Sequence, residues 1–262
     1  MNAGTARPRL LAVALPPLPQ VTPGDDLAGM AVDAWRALAE EDPTLTPAGG
    51  DVLVVTQKVV SKAEGRLVDL RTITPRPEAV EFAARWERDP RQVEVVLRES
   101  AQILRMERGI VIARTRHGFV CANAGVDASN TGGAEMLTLL PDDPDASARV
   151  IRDRLVEAFG VPLCVIVSDS FGRPWRWGIV DVALGVAGFR PLDDMRGRPD
   201  ADGRVMHVTV VAVADQIASA AELASGKTSG RPLVMVRGAA LPEGEGSVAA
   251  DVVMDPVNDL FR

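Results

Sequence analysis

Leu163-Cys164-Val165-Ile166-Val167-Ser168-Asp169-Ser170-Phe171-Gly172-Arg173-Pro174-Trp175-Arg176-Trp177-Gly178 is the stretch around which the 262-residue chain is organised. Its first part is a short apolar run rich in β-branched residues, the pattern of a strand buried on both faces. Such a strand delivers Asp169 and Ser170 to its carboxyl end, and the chain then breaks into a Gly/Pro loop carrying Arg173 and Arg176. A carboxylate at the rim of a buried strand, with a hydroxyl beside it and guanidinium groups beyond, suits a metal ion and a phosphorylated ligand. A surface turn whose Asp caps the next element fits the same residues. The segment alone leaves both readings open.

Upstream, Asp145 is expected to cap a helix carrying Ala148, Ile151, Leu155 and Phe159, stopped by Gly160 and Pro162. Before it, residues 134–140 read as a strand, and residues 110–113 and 119–122 as a hairpin around Arg116-His117-Gly118. The hairpin runs into the polar, glycine-rich loop Asn123-Ala124-Gly125-Val126-Asp127-Ala128-Ser129-Asn130-Thr131-Gly132-Gly133. There the backbone could approach a ligand, with Asp127, Ser129 and Asn130 as polar groups, or could simply form Asx turns. Residues 77–87 and 90–99 read as two helices, the second opened by Asp89 and Pro90. Residues 51–57 form an apolar strand, followed by Lys58, Ser61, Lys62 and Glu64 in a polar segment closed by Gly65. Lysines so placed could reach phosphates as point charges; by themselves they read as a solvated turn. Further back, residues 10–15 form a strand and residues 16–21 a proline-stiffened extended segment. Pro23-Gly24-Asp25-Asp26 then caps a helix striped by Leu27, Met30, Ala31, Ala34 and Leu38.

Downstream, residues 179–186 and 205–213 are strand candidates, and Asp215 caps a helix with Ile217, Ala220, Ala221 and Ala224 on one face. The loop Ser225-Gly226-Lys227-Thr228-Ser229-Gly230 leads to a strand over 233–236. Gly226-Lys227-Thr228 is not a phosphate-binding loop of the strand–loop–helix kind. Ala221 stands where that pattern needs glycine, and the loop follows a helix and precedes a strand. No dinucleotide fingerprint is present. Strands and helices alternate irregularly, which predicts an α+β fold of mixed and antiparallel sheets with packed helices. Residues 1–8 read as a flexible tail and residues 9–262 as one domain.

The net charge of −7 argues against a nucleic-acid face, so an anionic ligand needs a local basic pocket. Cys121 and Cys164 lack metal-type spacing and read as core residues of a reducing compartment. With two histidines, a histidine-based zinc site is hard to build. No signal-type or membrane-spanning run stands out, so a cytoplasmic location without membrane partners is expected.

Several stretches together resemble one family, coenzyme F420-0:L-glutamate ligase. They are Pro23-Gly24-Asp25-Asp26-Leu27, Gln57-Lys58-Val59-Val60-Ser61-Lys62-Ala63-Glu64-Gly65, Asn123-Ala124-Gly125-Val126-Asp127-Ala128-Ser129-Asn130, Ser168-Asp169-Ser170-Phe171-Gly172-Arg173 and Val213-Ala214-Asp215-Gln216-Ile217-Ala218. The resemblance covers nearly the whole chain in order and matches the stand-alone form of the family.

It implies a GTP-dependent acid–amino-acid ligase that adds L-glutamate to the deazaflavin precursor F420-0, or its dehydro form, and then further γ-linked glutamates through an acyl phosphate. It also implies an intertwined homodimer, Mg²⁺ or Mn²⁺, and K⁺. Carried over, Asp127, Asp169 and Ser170 match metal-binding positions. Leu18, Pro19, Gln20, Val21, Gln57, Lys58, Lys62 and Asn130 match nucleotide contacts, to which the loop Ser225, Gly226, Lys227 and Thr228 is added. Asp127, Asp169 and Lys62 are the expected catalytic residues. Archaeal-type members place a glutamate ligand where this chain has Lys227, which puts a second metal site in question. A metal-dependent nucleotide phosphohydrolase and a non-catalytic nucleotide-binding module remain the competing readings.

Overall fold

The computed structural model describes residues 9–129, 133 and 135–260. In chain order the elements are β1 (Leu11–Ala14), α1 (Leu27–Glu41), β2 (Val52–Thr56), α2 (Gln57–Ala63), β3 (Leu67–Asp69), α3 (Pro77–Trp86) and α4 (Pro90–Glu99). Next come β4 (Ser100–Glu107), β5 (Ile110–Thr115), β6 (Val120–Ala122), β7 (Met136–Thr138), α5 (Pro144–Phe159), β8 (Cys164–Arg173) and β9 (Arg176–Ala187). The chain closes with β10 (Leu192–Asp194), β11 (Val210–Ala212), α6 (Val213–Ser225) and β12 (Leu233–Arg237), followed by a π-helical turn, Val248–Val252.

The expected α+β class holds. The main sheet runs β1-β12-β2-β8-β9, with β2 and β8 parallel and the other neighbours antiparallel. Its centre is covered on both faces, which is why the 163–167 run is continuously apolar and not alternating. Val165 and Val167 join Leu53 and Val55 against α1 and α5, while Cys164 and Ile166 join Val52 and Val54 against α6. A smaller lobe packs α3 and α4 on the sheet β4-β5-β6, through Ala79, Phe82, Val93, Val96, Leu97, Val111 and Ala113. Inside this lobe the buried Glu94 accepts hydrogen bonds from Arg76 at 2.9 Å and from Arg98 at 2.7 Å.

The organising stretch departs from expectation past Ser168. Rather than ending in a loop, β8 continues to Arg173 and turns directly into β9, forming a two-stranded arm beyond the level where β2 stops at Thr56. The β8–β9 ladder also carries a bulge: Val167 pairs with Gly185 but Ser168 with Ala183, leaving Leu184 as the extra residue.

Other expectations are corrected by where acidic side chains find donors. Asp143, not Asp145, caps α5, accepting from the Ala146 amide at 2.9 Å. Asp145 is buried and accepts from the amides of Val186, Val248 and Ala249. Asp215 likewise sits inside the first turn of α6, whose N-cap is Ala212, and accepts from the Ala183 amide at 2.9 Å. The strand expected over 205–213 shrinks to β11, because Val213 already begins the helix; Val205 makes only an isolated bridge to Pro199. The 134–140 strand is only β7, and the segment after β2 is no solvated turn but α2, with Gln57, Val60 and Ser61 buried. The strand β4 went unread because its side chains are mostly exposed. Among the described residues, no helix is long and apolar enough to cross a membrane.

Candidate active site

Thr56 and Ser168 are register partners at the ends of the parallel pair β2 and β8, so both chains leave the sheet at one level. The carboxyl ends of parallel strands are where open sheets form ligand crevices. Here they floor a cleft of about 870 Å³. Its walls are the segment Leu18, Pro19, Gln20 and Val21, the first turns of α2, the turn around Asp127, the arm, the end of α6 and the loop Ser225 to Thr228. Every expected site residue among those described therefore lines one space: Gln57, Lys58, Lys62, Asp127, Asp169, Ser170 and Lys227 as well. Asn130 lies outside the described residues. Arg173 and Arg176 are absent from the lining; the Arg173 guanidinium instead donates to the Trp177 carbonyl at 2.7 Å.

The Asp127 turn is built tightly. Asn123 and Ala124 both take positive φ of 51°, and the Asn123 carboxamide accepts from the Val111 amide. Gly125 follows at φ 71°, where an added Cβ would lie 2.7 Å from Leu140 Cγ, so both conformation and space require glycine. Beyond it, Asp127 exchanges backbone hydrogen bonds with Thr138, which fixes its position against β7. Its carboxylate accepts from the Ser129 amide at 2.6 Å, forming the Asx turn that the loop's composition allowed, and meets Lys58 Nζ at 2.7 Å. Burial works against ionisation of Asp127, but the Lys58 and Ser129 hydrogen bonds outweigh it and hold the carboxyl below its usual value.

Asp169 has the opposite setting. Burial, only partly offset by the Ser170 amide, and the nearby charges of Asp181 and Asp127 push its carboxyl up to about 7. Gln57 is buried and largely committed, its amide nitrogen donating to Ser61 Oγ and to the Leu139 carbonyl at 2.9 Å. Lys62 is the reverse: it has no ion-pair partner among the described residues, and burial and the Lys58 charge lower its pKa.

Three residues of the cleft escaped the sequence reading. Asp181, 5% exposed, accepts from Ser168 Oγ at 3.1 Å and Ser170 Oγ at 2.6 Å. Glu222 on α6 accepts from the Asp181 amide at 3.2 Å. Arg231 lines the cleft and donates to the Leu15 carbonyl at 3.2 Å. The available signal was a single acid within the apolar run Ile179-Val180-Asp181-Val182-Ala183, which a buried strand tolerates only with partners. Lys227 reaches this cluster, with its ammonium 2.5 Å from Glu222 Oε1 and 3.3 Å from Asp181 Oδ1, and it also donates to Ser170 Oγ.

Among the described residues, no group of three or more His, Cys, Asp or Glu side chains is arranged to hold a metal ion. The pair Asp127 and Asp169 with the Ser170 hydroxyl still fits Mg²⁺ or Mn²⁺. Such ions commonly take one or two carboxylates and complete their shell with water and substrate phosphates. The like charges of Asp181 and Asp127 beside Asp169 are what a cation would relieve.

The family model described as F420-0:gamma-glutamyl ligase matches residues 17–238. The coenzyme F420:L-glutamate ligase of Methanothermobacter thermautotrophicus is 45% identical over 84% of this chain and 86% of its own length. That of Methanopyrus kandleri is 45% identical over 93% of this chain and 94% of its own. The Methanocaldococcus jannaschii protein of the same name is 41% identical over 81% and 85%.

Proposed function

The chain belongs to the F420-0:gamma-glutamyl ligase family, and on that premise we propose that it is a GTP-dependent ligase joining L-glutamate to F420-0 and then adding further γ-linked glutamates. The observation that carries the proposal is the single cleft in which a lysine with no ion-pair partner among the described residues, an only partly compensated carboxylate and the Leu18–Val21 segment converge.

A carboxylate is a poor electrophile, so amide formation requires its activation. The γ-phosphoryl group of GTP passes to an oxygen of the acceptor carboxylate, giving an acyl phosphate and GDP. The free amine of glutamate then attacks the carbonyl carbon, the amide forms and phosphate leaves. No protein nucleophile is needed. The protein's task is to bring anions together and align the displacement. Asp127, Asp169 and the Ser170 hydroxyl would hold Mg²⁺ or Mn²⁺, which when bound neutralises phosphate charge. Lys62, with no carboxylate partner among the described residues, donates to the phosphates as charge shifts during transfer. Lys58 is tied to Asp127 and exchanges that partner for phosphate when the nucleotide enters.

A homodimer and a K⁺ requirement belong to the same proposal. The exposed apolar tip of the arm, with Trp175, Trp177 and Ile179, supports the former. Light scattering tests the dimer, and replacement of K⁺ by Na⁺ in the assay tests the ion. The deciding experiment is mass spectrometry of products from purified protein with GTP, Mn²⁺, L-glutamate and F420-0. Glutamylated F420 species are expected. GTP turnover that needs neither glutamate nor F420-0 would point to a phosphohydrolase, and binding without turnover to a non-catalytic module.

A further inference from the structure

The charges of the cleft can be paired off group by group. Asp127 carries Lys58, while Asp169 has no ion-pair partner among the described residues and feels the Lys58 charge only weakly beside the burial and the Asp181 and Asp127 charges that oppose its ionisation. Asp181 and Glu222 share Lys227. An ammonium has three N–H donors and no acceptor. Those of Lys227 have three protein oxygens to meet: Ser170 Oγ, Asp181 Oδ1 and Glu222 Oε1. The three acceptors come from β8, β9 and α6, so the ammonium sits where three elements of the fold converge.

We propose that Lys227 is a built-in cation, its ammonium filling an oxygen-lined seat between Ser170, Asp181 and Glu222 that would otherwise take a divalent metal ion. The seat stands on bonds that do not involve the lysine. Asp181 is held by two serine hydroxyls, and the Asp181 amide fixes the other Glu222 oxygen. Its oxygens lie 2.5 and 3.3 Å from the nitrogen, so Glu222 needs to close by about 0.4 Å and Asp181 by about 1.2 Å to reach the roughly 2.1 Å of Mg²⁺-type coordination, a movement within the reach of side-chain rotation. The lysine side chain is itself 50% exposed, so its removal opens the seat to solvent ions. With its donors committed, Lys227 is not a free phosphate contact. It supplies one fixed positive charge where a metal would supply two, and it bridges Asp181 and Glu222. Only the number of ions in the wild-type protein rests on the assignment of Asp127 and Asp169 proposed above; the difference made by Lys227 does not.

The test is Mn²⁺ binding by the full chain, measured by equilibrium dialysis and elemental analysis up to about 1 mM, a range that includes weak carboxylate sites. Lys227→Ala and Lys227→Met should each bind one more Mn²⁺ per chain than wild type, and Mn²⁺ should raise their Tm more than that of wild type. Adding Glu222→Gln to Lys227→Met should remove the extra ion. Equal stoichiometry in wild type and both variants would overturn the proposal, as would failure of both to fold even with Mn²⁺ present. Separately, Asp169→Asn with Lys227 intact should lose the wild-type ion. If wild type binds none, the Asp127/Asp169 assignment fails, while the gain on removing Lys227 still decides this inference.

Discussion

Glu94 in the small lobe and Asp169 in the cleft are both drawn away from solvent, and their surroundings treat them in opposite ways. Glu94 accepts from two guanidinium groups and the Arg76 amide, and the Arg76 hydrogen bond, with Arg98 in support, holds its carboxyl down to about 2 against the cost of burial. Asp169 is pushed up to about 7, first by burial and then by two neighbouring carboxylates, against one backbone hydrogen bond and a weak pull from Lys58. A buried acid whose compensation is complete within the chain is a structural tie. One left short of positive charge is arranged for a cation that arrives from outside.

The sharpest way to break this contrast is to neutralise each acid. Asp169→Asn should lower glutamate ligation by about a hundred-fold or more, while Tm stays level or rises because a charge penalty is removed. Steady-state kinetics and a thermal melt on the same preparation check both halves. A Tm loss as large as that of a core variant would place Asp169 with Glu94 as a structural group.

Lys62→Met removes the unpaired ammonium and keeps the apolar stem. It should lower kcat/KM for GTP by about ten- to a hundred-fold, with the fold intact, as expected for one lost charge-assisted hydrogen bond. A wild-type kcat/KM in the folded variant would make Lys62 a bystander.

Glu94→Gln should leave kcat near wild type at 25 °C and cost about 1.5–3 kcal/mol of stability, since hydrogen bonds to charged groups are lost. The guanidinium partners are nearly half exposed and can rehydrate, which keeps the cost at that level. Denaturant unfolding measures it.

The smallest effect is on pH dependence, and its sign differs between the two acids. The Glu94 carboxyl lies below its ordinary value of 4.5, so its stabilising contribution is complete above that pH and is lost as pH falls through about 2. Glu94→Gln should flatten that acid limb. The Asp169 carboxyl lies above its ordinary 3.8, so the folded state keeps a proton that the unfolded chain releases. Stability therefore declines as pH rises from 3.8 towards about 7. Mn²⁺ competes with that proton, so it should raise Tm more at about pH 8 than at about pH 5. Equal shifts would separate metal binding from Asp169.

Much of the cleft was legible because its contributors directly follow the apolar runs of buried strands or sit in glycine-marked turns, features that leave local traces. Asp127, Asp169, Lys58 and Lys62 all belong to such places. Two of the residues that escaped lie inside regular elements: Asp181 in β9 and Glu222 in α6 become neighbours only through packing between distant segments. The misplaced caps failed for a related reason. Asp145 and Asp215 carry the local signature of an N-cap, yet distant amides of Val186 and Ala183 outcompete the first turn for them. Residues 205–213 read as a strand by composition, and the helix beginning at Val213 cuts that strand short.

The bulge at Leu184 has a consequence best put as parity. Ala187 belongs to the core of the α1–α5 face, and Gly185 pairs with Val167 of that same core. Counted by twos along an unbroken strand, Ala183 and Asp181 would follow onto that side. The extra residue adds half a period, and Ala183 lies instead in the core shared with α6, bringing Asp181 opposite Ser170 and within reach of Glu222 and Lys227. The cluster thus depends on a count as well as on its side chains. A strand of the same sequence and length, straightened by one register step, would carry every acid and hydroxyl intact and present Asp181 to the wrong half of the molecule.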